Sequence, residues 1–285
     1  MWKLGVFFII VALGSTSGQN IILNCLFDDY GTGDVYMCSL GHITVLDPSM
    51  NVTFNGTHTG NRTDADVDLV EIWSSNTPFI INQLFITFPN LQYLNIYDSN
   101  LATVVIPPVA QLVQLVIQGN NVSKIESNSF PNQTQLRYFY ITNSGVTDID
   151  QDAFVGLHGV EDFAFWNNNI QKLAPRTLAP LTNAKRMTFR MNRISIIDED
   201  TFLHNKNLEL LELTDNQIHQ IHPRAFASLR NSLSSLYLNG NQCVSQIFRL
   251  ENDQDWSAMN IALARCFGSR TRTKEINNGP MTIYN

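Results

Sequence analysis

Four cysteines, five glycosylation sequons and two closely spaced histidines are the residues whose spacing could carry chemistry in this chain of 285 residues. His219 and His222 could both reach one metal ion, but they fall in the variable segment of a repeat described below, so we expect no metal and no cofactor. We interpret the acidic run 198–200 as a solvated loop and the glycine pair at 31–33 as a turn. The sequence lacks the Gly-x-Ser-x-Gly, Walker and His-Glu-x-x-His patterns of common enzyme classes. We therefore expect a protein that is not an enzyme.

The start of the chain has the order of a secretory signal peptide. Lys3 is followed by an apolar run over 4–13 and by small residues over 14–18. The alternative, a membrane anchor, is disfavoured because a spanning helix needs about 20 apolar residues. We expect cleavage of residues 1–18 and an extracellular, secreted product that inserts into no membrane.

The sequons and the charge favour the same setting. The five Asn-x-Ser/Thr sequons begin at Asn51, Asn55, Asn61, Asn121 and Asn132, which we predict to carry glycans. The net charge is -7. A nucleic-acid ligand would favour a basic footprint, so we expect a protein or glycoprotein partner and no nucleic acid.

One pattern, Leu-x-x-Leu-x-Leu-x-x-Asn-x-Leu, recurs along most of the chain. Its ninth position falls at residues 75, 99, 120, 144, 168, 192, 216 and 241, at intervals of 24, 21, 24, 24, 24, 24 and 25. This period is typical of leucine-rich repeats, which stack because no single repeat can bury its own apolar face. We predict an α/β repeat solenoid, a leucine-rich-repeat horseshoe whose concave side is a parallel sheet of about eight strands.

Positions within the repeat predict where side chains lie. Positions four and six point into the core, and the asparagine at position nine turns inward to pair with backbone groups. Serine replaces asparagine at 75, 99 and 144, which predicts looser turns there. Two apolar residues five apart should form a convex spine: Ile80 and Phe85, Ile125 and Phe130, Ile149 and Phe154, Leu173 and Leu178, Ile197 and Phe202, and Ile221 and Phe226. We expect a break in this spine near Pro107 and Pro108.

The cysteines lie outside the two ends of the repeat array. Eight strands about 4.8 Å apart span roughly 34 Å, whereas bonded cysteines need Cα atoms within about 7 Å. We therefore predict Cys25–Cys38 in an N-terminal cap, with a hairpin around 30–33, and Cys243–Cys266 in a C-terminal cap. A helix with Asp253 as N-cap should pack Trp256, Met259 and Leu263 on the last repeat.

These boundaries divide the chain into four parts. We predict a signal peptide at 1–18, an N-terminal cap with a glycosylated loop at 19–66, leucine-rich repeats at 67–243, and a C-terminal cap helix with a polar tail at 244–285.

The concave surface is the candidate binding site. Positions three, five and seven of each strand should face it, because side chains alternate along a strand. Seven of the eleven Tyr and Trp residues beyond the signal peptide occupy these positions, whereas Phe occupies the inward ones. Exposed Tyr, Trp and Arg are enriched in protein–protein hot spots. We predict that the ligand-binding residues are Tyr93, Tyr97, Tyr138, Tyr140, Asp162, Trp166, Arg186 and Arg190.

The repeats, the Ala-Phe pairs at 153–154 and 225–226, and the ending from Asn241 through Trp256 to Cys266 carry a resemblance. The chain resembles secreted leucine-rich-repeat proteins of insects, in particular the short mosquito leucine-rich-repeat immune proteins, and more distantly Toll-receptor ectodomains. The resemblance implies recognition in insect innate immunity, with a complement-like factor as partner. An extracellular developmental or adhesion-type ligand or decoy is the alternative. The chain departs from the longer relatives in lacking a coiled coil and an extra cysteine, so we expect no covalent dimer.

Overall fold

The computed structural model of the protein describes residues 20–31, 34–108, 111–174 and 176–268. The predicted signal peptide, Thr32 and Gly33 of the cap turn, and the tail after residue 268 lie outside the described residues. The strands are β1 Asn20–Asn24, β2 Leu26–Tyr30, β3 Val35–Gly41, β4 Asn51–Asn55, β5 Leu69–Trp73, β6 Tyr93–Tyr97, β7 Gln114–Gln118, β8 Lys124–Ile125, β9 Tyr138–Thr142, β10 Asp148–Ile149, β11 Asp162–Ala164, β12 Arg186–Thr188, β13 Ile196–Ile197, β14 Leu210–Glu212, β15 Gln220–Ile221, β16 Ser235–Tyr237 and β17 Ile247–Arg249. The α-helices are α1 Gln83–Thr87 and α2 Asp253–Leu263, and short 3₁₀ turns occupy Asp64–Asp66, Ala227–Leu229 and Ala264–Cys266.

The eight repeat strands form the predicted parallel sheet. They are β5, β6, β7, β9, β11, β12, β14 and β16, and each pairs in parallel with the next. Pairing joins equal repeat positions, so that Asp162 stands opposite Tyr138 on one side and Arg186 on the other. The leucine-rich-repeat horseshoe is therefore confirmed. Helix is confined to α1, α2 and the 3₁₀ turns in the described residues, and turns and two-residue strands form most of the convex side.

Three cap strands extend the sheet to eleven strands. At the N-terminal end β3 pairs in parallel with β5, and β2 pairs with β3 in an antiparallel hairpin. At the C-terminal end β17 pairs with β16 in the antiparallel sense. The expected hairpin is present, but the sheet is longer than the repeat count because the caps cover its open edges with strands of their own.

The core lies between this sheet and the convex side. Residues at positions four and six are buried in the described repeats, and Phe163 stacks on Phe165 with ring centroids 4.7 Å apart. Phe130, Phe154 and Phe202 of the convex spine are fully buried, whereas Ile149 is only partly buried. Phe139 contacts both Phe130 and Phe154, so the sheet and the spine share one aromatic core.

The ninth-position asparagines hold consecutive repeats together. Asn168 donates to the carbonyl of Ile141 at 2.8 Å and accepts the N–H groups of Ser144 and Val146, each at 3.1 Å. The serines reach less far: the hydroxyl of Ser144 donates to the Thr142 carbonyl of its own turn. It also meets the N–H of Asn120 at 3.3 Å. The inward asparagine is thus confirmed.

Position eight adopts a left-handed backbone in all eight repeats. The residues are Ser74, Asp98, Gly119, Asn143, Asn167, Met191, Asp215 and Gly240. Gly119 and Gly240 each lie against an aspartate of the preceding repeat, Asp98 and Asp215, which leaves no room for a Cβ atom. Met191 is the exception to this use of small or polar residues. Its Cβ is crowded at positive φ, and methionine lacks the local hydrogen bonds by which asparagine and aspartate offset that cost.

The caps contain both predicted disulfides. Their Cα atoms lie 5.1 Å apart in Cys25–Cys38 and 5.2 Å apart in Cys243–Cys266. Helix α2 buries Trp256, Met259 and Leu263 as expected. Its N-cap is Asn252 and not Asp253, because the Asn252 side chain accepts the N–H groups of Gln254 and Asp255.

Candidate functional site

The concave face is formed by positions three, five and seven of the repeat strands. Because the strands are in register, each position forms a column that crosses the sheet. Some residues at these positions are buried, among them Leu69, Asn95 and Ala164. The predicted aromatic residues are half-buried, apart from Tyr138, which is 40% exposed. The face is therefore a packed surface with apolar rings that solvent can reach.

Three predicted site residues contact one another at the middle of the face, and we call them the central triad: Tyr140, Asp162 and Arg186. Arg186 donates from Nε and Nη2 to the same Asp162 oxygen, at 2.9 and 2.6 Å. Burial raises the pKa of the Tyr140 phenol, and the charge of Asp162 and a hydrogen bond to it raise that pKa further. The triad is held in place before any ligand arrives.

Tyr138, Trp166 and Arg190 surround the central triad. Tyr138 on β9 is paired with Asp162 on the neighbouring strand β11. Trp166 and Arg190 both occupy position seven, and backbone pairing between Asn167 and Arg190 continues the sheet there. Arg190 is exposed and meets the sulfur of Met191 at 3.7 Å. In the described residues it has no carboxylate partner, so its charge is open to a ligand.

Tyr93 and Tyr97 lie on β6, two strands away from β9. Strand spacing places Tyr93 about 10 Å from the backbone of Tyr138. Burial raises the pKa of Tyr97, with smaller contributions from the charge of Glu71 and from Tyr30. The structure therefore separates these two tyrosines from the central triad while keeping them on the same face.

Cap residues also contribute to the face at both ends, and sequence reasoning missed them: Arg249 of β17, and Ser39 and Gly41 of β3, which contact the concave Trp73 of β5. Arg249 of β17 lies over the Tyr237 ring, 5.0 Å from its centroid, and donates to the Tyr237 hydroxyl at 2.7 Å. At the other end Trp73 covers Gly41, where a Cβ would clash with the ring, and donates to the Ser39 hydroxyl at 3.0 Å. No repeat position marks either cap strand, so their register could not be counted in the sequence.

The five sequon asparagines are exposed and lie off the concave strands. Asn51 and Asn55 are the ends of β4, which pairs with β1 outside the main sheet. Asn61, Asn121 and Asn132 lie in turns or loops. Glycans on these residues would leave the concave face uncovered.

Outside the concave face, one of the two histidines considered for metal binding forms an ordinary ion pair. His222 and Arg224 both contact Glu199, at 3.5 and 2.6 Å. Among the described residues no group of three or more His, Cys, Asp or Glu side chains could hold a metal ion. Within the same part of the chain, no helix has the length and apolar character needed to cross a membrane.

Comparison with known proteins agrees with this architecture. The family described as "Leucine rich repeat" matches residues 134–188 and 182–242. A search of curated proteins by sequence finds no match. Among solved structures, TLR13 in its complex with ssRNA13 is similar at a TM-score of 0.57 and 19% identity, over 68% of this chain and 29% of that chain. Toll in the Drosophila Toll–Spatzle complex is similar at a TM-score of 0.57 and 19% identity, over 63% of this chain and 24% of that chain.

This chain thus spans less than a third of the length of either receptor chain. Likeness at this identity concerns the fold, and it agrees with the repeat register and with the matched family. The repeat register, the family match and the likeness to these two structures together show a leucine-rich-repeat fold.

Proposed function

We propose that this is a secreted, non-catalytic protein that binds a protein or glycoprotein partner on its concave face. The observation that carries the proposal is the surface formed by Tyr138, Trp166 and Arg190 around the central triad. Solvent-accessible Tyr, Trp and Arg are the side chains that most often dominate the energy of protein interfaces. Because Asp162 already holds Arg186, binding would cost little side-chain entropy there.

Export is supported by chemistry outside this face. All four cysteines form two disulfides, which persist in oxidising compartments. The five exposed sequons and the signal-like start favour the same location. With no free thiol in the chain, we expect no disulfide-linked dimer.

We favour a protein partner over a nucleic acid. The net charge is -7, and Asp162 partly offsets the arginines of the concave face. Of the two solved structures named above, one is a complex with Spatzle and the other is a complex with ssRNA13. Retention of RNA by the concave face is therefore an outcome that the experiment below must be able to detect.

The biological setting that we propose is insect innate immunity, with a complement-like factor as the partner. It rests on the resemblance to the short mosquito immune proteins. The Toll–Spatzle complex is described as a hub in development and innate immunity, which supports a developmental or adhesion-type ligand or decoy as the second candidate. Induction of the transcript by microbial challenge would favour the first, and expression restricted to particular embryonic tissues would favour the second.

The test is cross-linked affinity capture from the extracellular fluid of the source animal. The wild-type protein is compared with a variant carrying Tyr138→Ala, Trp166→Ala and Arg190→Ala. The matched control carries Ile86→Ala, Val155→Ala and Leu203→Ala, which truncate exposed apolar residues off the concave sheet.

We expect the concave variant to lose its partner and the control to retain it. Losing about 2 kcal/mol at even one hot-spot residue weakens binding roughly 30-fold. Equal capture by all three proteins would refute the concave site. Recovery of RNA instead of protein would refute the partner class.

A further inference from the structure

Tyr30 is the most exposed of the tyrosines in the described residues, with 53% of its surface accessible. It ends β2 and directly follows Asp28 and Asp29, which are also exposed. Asp29 pairs with Arg62, whereas Asp28 shares the face of Tyr30, because side chains two apart along a strand point the same way. Exposed Asp34 follows on the other side of the turn. The phenol therefore stands in an acidic local environment.

The other described tyrosines lack this combination. Tyr36 is buried, and Tyr140 and Tyr237 are engaged with Asp162 and Arg249. Tyr138 is the next most exposed, but it follows the basic residue Arg137 and lies on a strand with neighbours on both sides. Exposure and preceding acidic residues thus coincide at Tyr30.

Strand β2 also offers its backbone. It is the terminal strand of the eleven-stranded sheet, so one of its edges faces away from β3. An enzyme that modifies a side chain must bind the surrounding peptide. It can bind an extended edge strand through main-chain hydrogen bonds. The Cys25–Cys38 disulfide keeps β2 in this extended form next to β3.

We propose that Tyr30 is a tyrosine-sulfation site. The inference rests on export, the location part of the proposed function, because the modification belongs to the secretory pathway. A sulfotransferase that binds an anionic donor needs cationic groups around its acceptor, and Asp28, on the same face as Tyr30, complements such groups.

The reaction is a sulfuryl transfer from an activated sulfate, the phosphoadenylyl sulfate class of donor. A bond forms between the Tyr30 phenolic oxygen and sulfur, and the bond from sulfur to the donor phosphate oxygen breaks. The phenolic proton passes to a base of the transferase, and the nucleotide phosphate leaves. No electrons are exchanged with an outside oxidant or reductant.

The product would alter the concave face. Tyr30 lies on the side of β2 that continues this face, because Asp28 and Tyr30 alternate with the buried Phe27 and pair with the concave side of β3. A sulfate there adds a permanent negative charge at the N-terminal end, opposite the end that carries Arg249. The modification would therefore change which charge pattern a partner must present.

The experiment is metabolic labelling of the full chain with radioactive sulfate in secreting animal cells, followed by enzymatic removal of N-glycans, which can also carry sulfate. Wild type is compared with Tyr30→Phe and with a double variant carrying Asp28→Asn and Asp29→Asn. Tyr138→Phe is the matched control for exposure. The purified, folded wild type is also incubated with a tyrosine sulfotransferase and labelled donor, which tests acceptor quality independently of export.

We expect label in the wild type and in Tyr138→Phe, loss of all label in Tyr30→Phe, and at least a several-fold reduction in the double aspartate variant. Peptide mass spectrometry should place one phosphatase-resistant sulfate on Tyr30. Export without label, together with no transfer in the purified reaction, would overturn the proposal. Label that persists in Tyr30→Phe would overturn it as well. Neither readout depends on binding of a partner, so failure here is distinct from failure of the concave site.

Discussion

Replacing Asn168 by alanine tests what joins one repeat to the next. The substitution removes the partner of two backbone N–H groups, Ser144 and Val146, and of the Ile141 carbonyl, all at 2.8 to 3.1 Å. Asn168 is 7% exposed, so water cannot readily replace these bonds. At about 1 to 3 kcal/mol for each buried group left unpaired, the loss is roughly 3 to 6 kcal/mol after partial relaxation. That is comparable to a large share of the stability of a typical domain.

The assay is urea unfolding followed by circular dichroism, with Asn169→Ala as the control. Asn169 is the next residue and uses only its backbone N–H, bonded to the Val146 carbonyl. We expect the control to change the free energy of unfolding by less than about 0.5 kcal/mol. A loss below about 1 kcal/mol in Asn168→Ala, with an unchanged slope against urea, would refute the view that this side chain holds the turns.

Three further predictions concern backbone strain, ionisation and the C-terminal cap. Met191→Asn should raise the free energy of unfolding by about 1 kcal/mol, because the short polar side chain of asparagine can hydrogen-bond locally at φ 55° and that of methionine cannot. An unchanged urea midpoint would contradict this. The Tyr140 phenol should stay protonated in the folded state above pH 10, where tyrosines of the unfolded chain ionise, so its contribution to stability is complete below that pH and is lost above it. Ultraviolet titration checks this, and Asp162→Asn should lower the pKa of Tyr140. Replacing Cys243 and Cys266 together by serine should cost about 3 kcal/mol, since the disulfide closes a 23-residue separation, and a melting temperature equal to that of wild type would exclude it.

The register of the repeats could be predicted because it depends on counting. Each repeat position has a distinct burial, so the ninth-position series of asparagines and serines, together with the apolar positions, aligned all eight strands, and pairing such as Asp162 with Arg186 follows from it. The caps contain no repeat to count. Strands β3 and β17 join the sheet through backbone hydrogen bonds, which any residue except proline can make, and their side chains therefore carry little sign of their position. Arg249 was missed for this reason.

The sequence could predict which concave position each candidate residue occupies. It could not predict which of these residues contact one another. Alternation placed Tyr140, Asp162 and Arg186 on one face, and the sequence also placed Tyr93 and Tyr97 there. The repeat count also placed Tyr93 and Tyr97 two strands away from Tyr140. It could not indicate that Tyr140, Asp162 and Arg186 contact each other. Those contacts depend on rotamers, and Arg186 could equally have extended toward solvent.

Alternate residues of the same short strands form the core and the proposed binding face. Position seven is the point at which the two depend on the same backbone hydrogen bonds. Trp166 and Arg190 occupy the last concave position before the turn, and the asparagines that bond those turns, Asn168 and Asn192, are two residues further on. Asn168 meets the Trp166 carbonyl and Asn192 meets the Arg190 carbonyl, each at 3.4 Å. The backbone that presents Trp166 and Arg190 is therefore held by the same asparagines that stack the repeats. A substitution at Asn168 should thus weaken partner binding before the chain unfolds. Part of the free energy of binding would then be spent on restoring the position of Trp166.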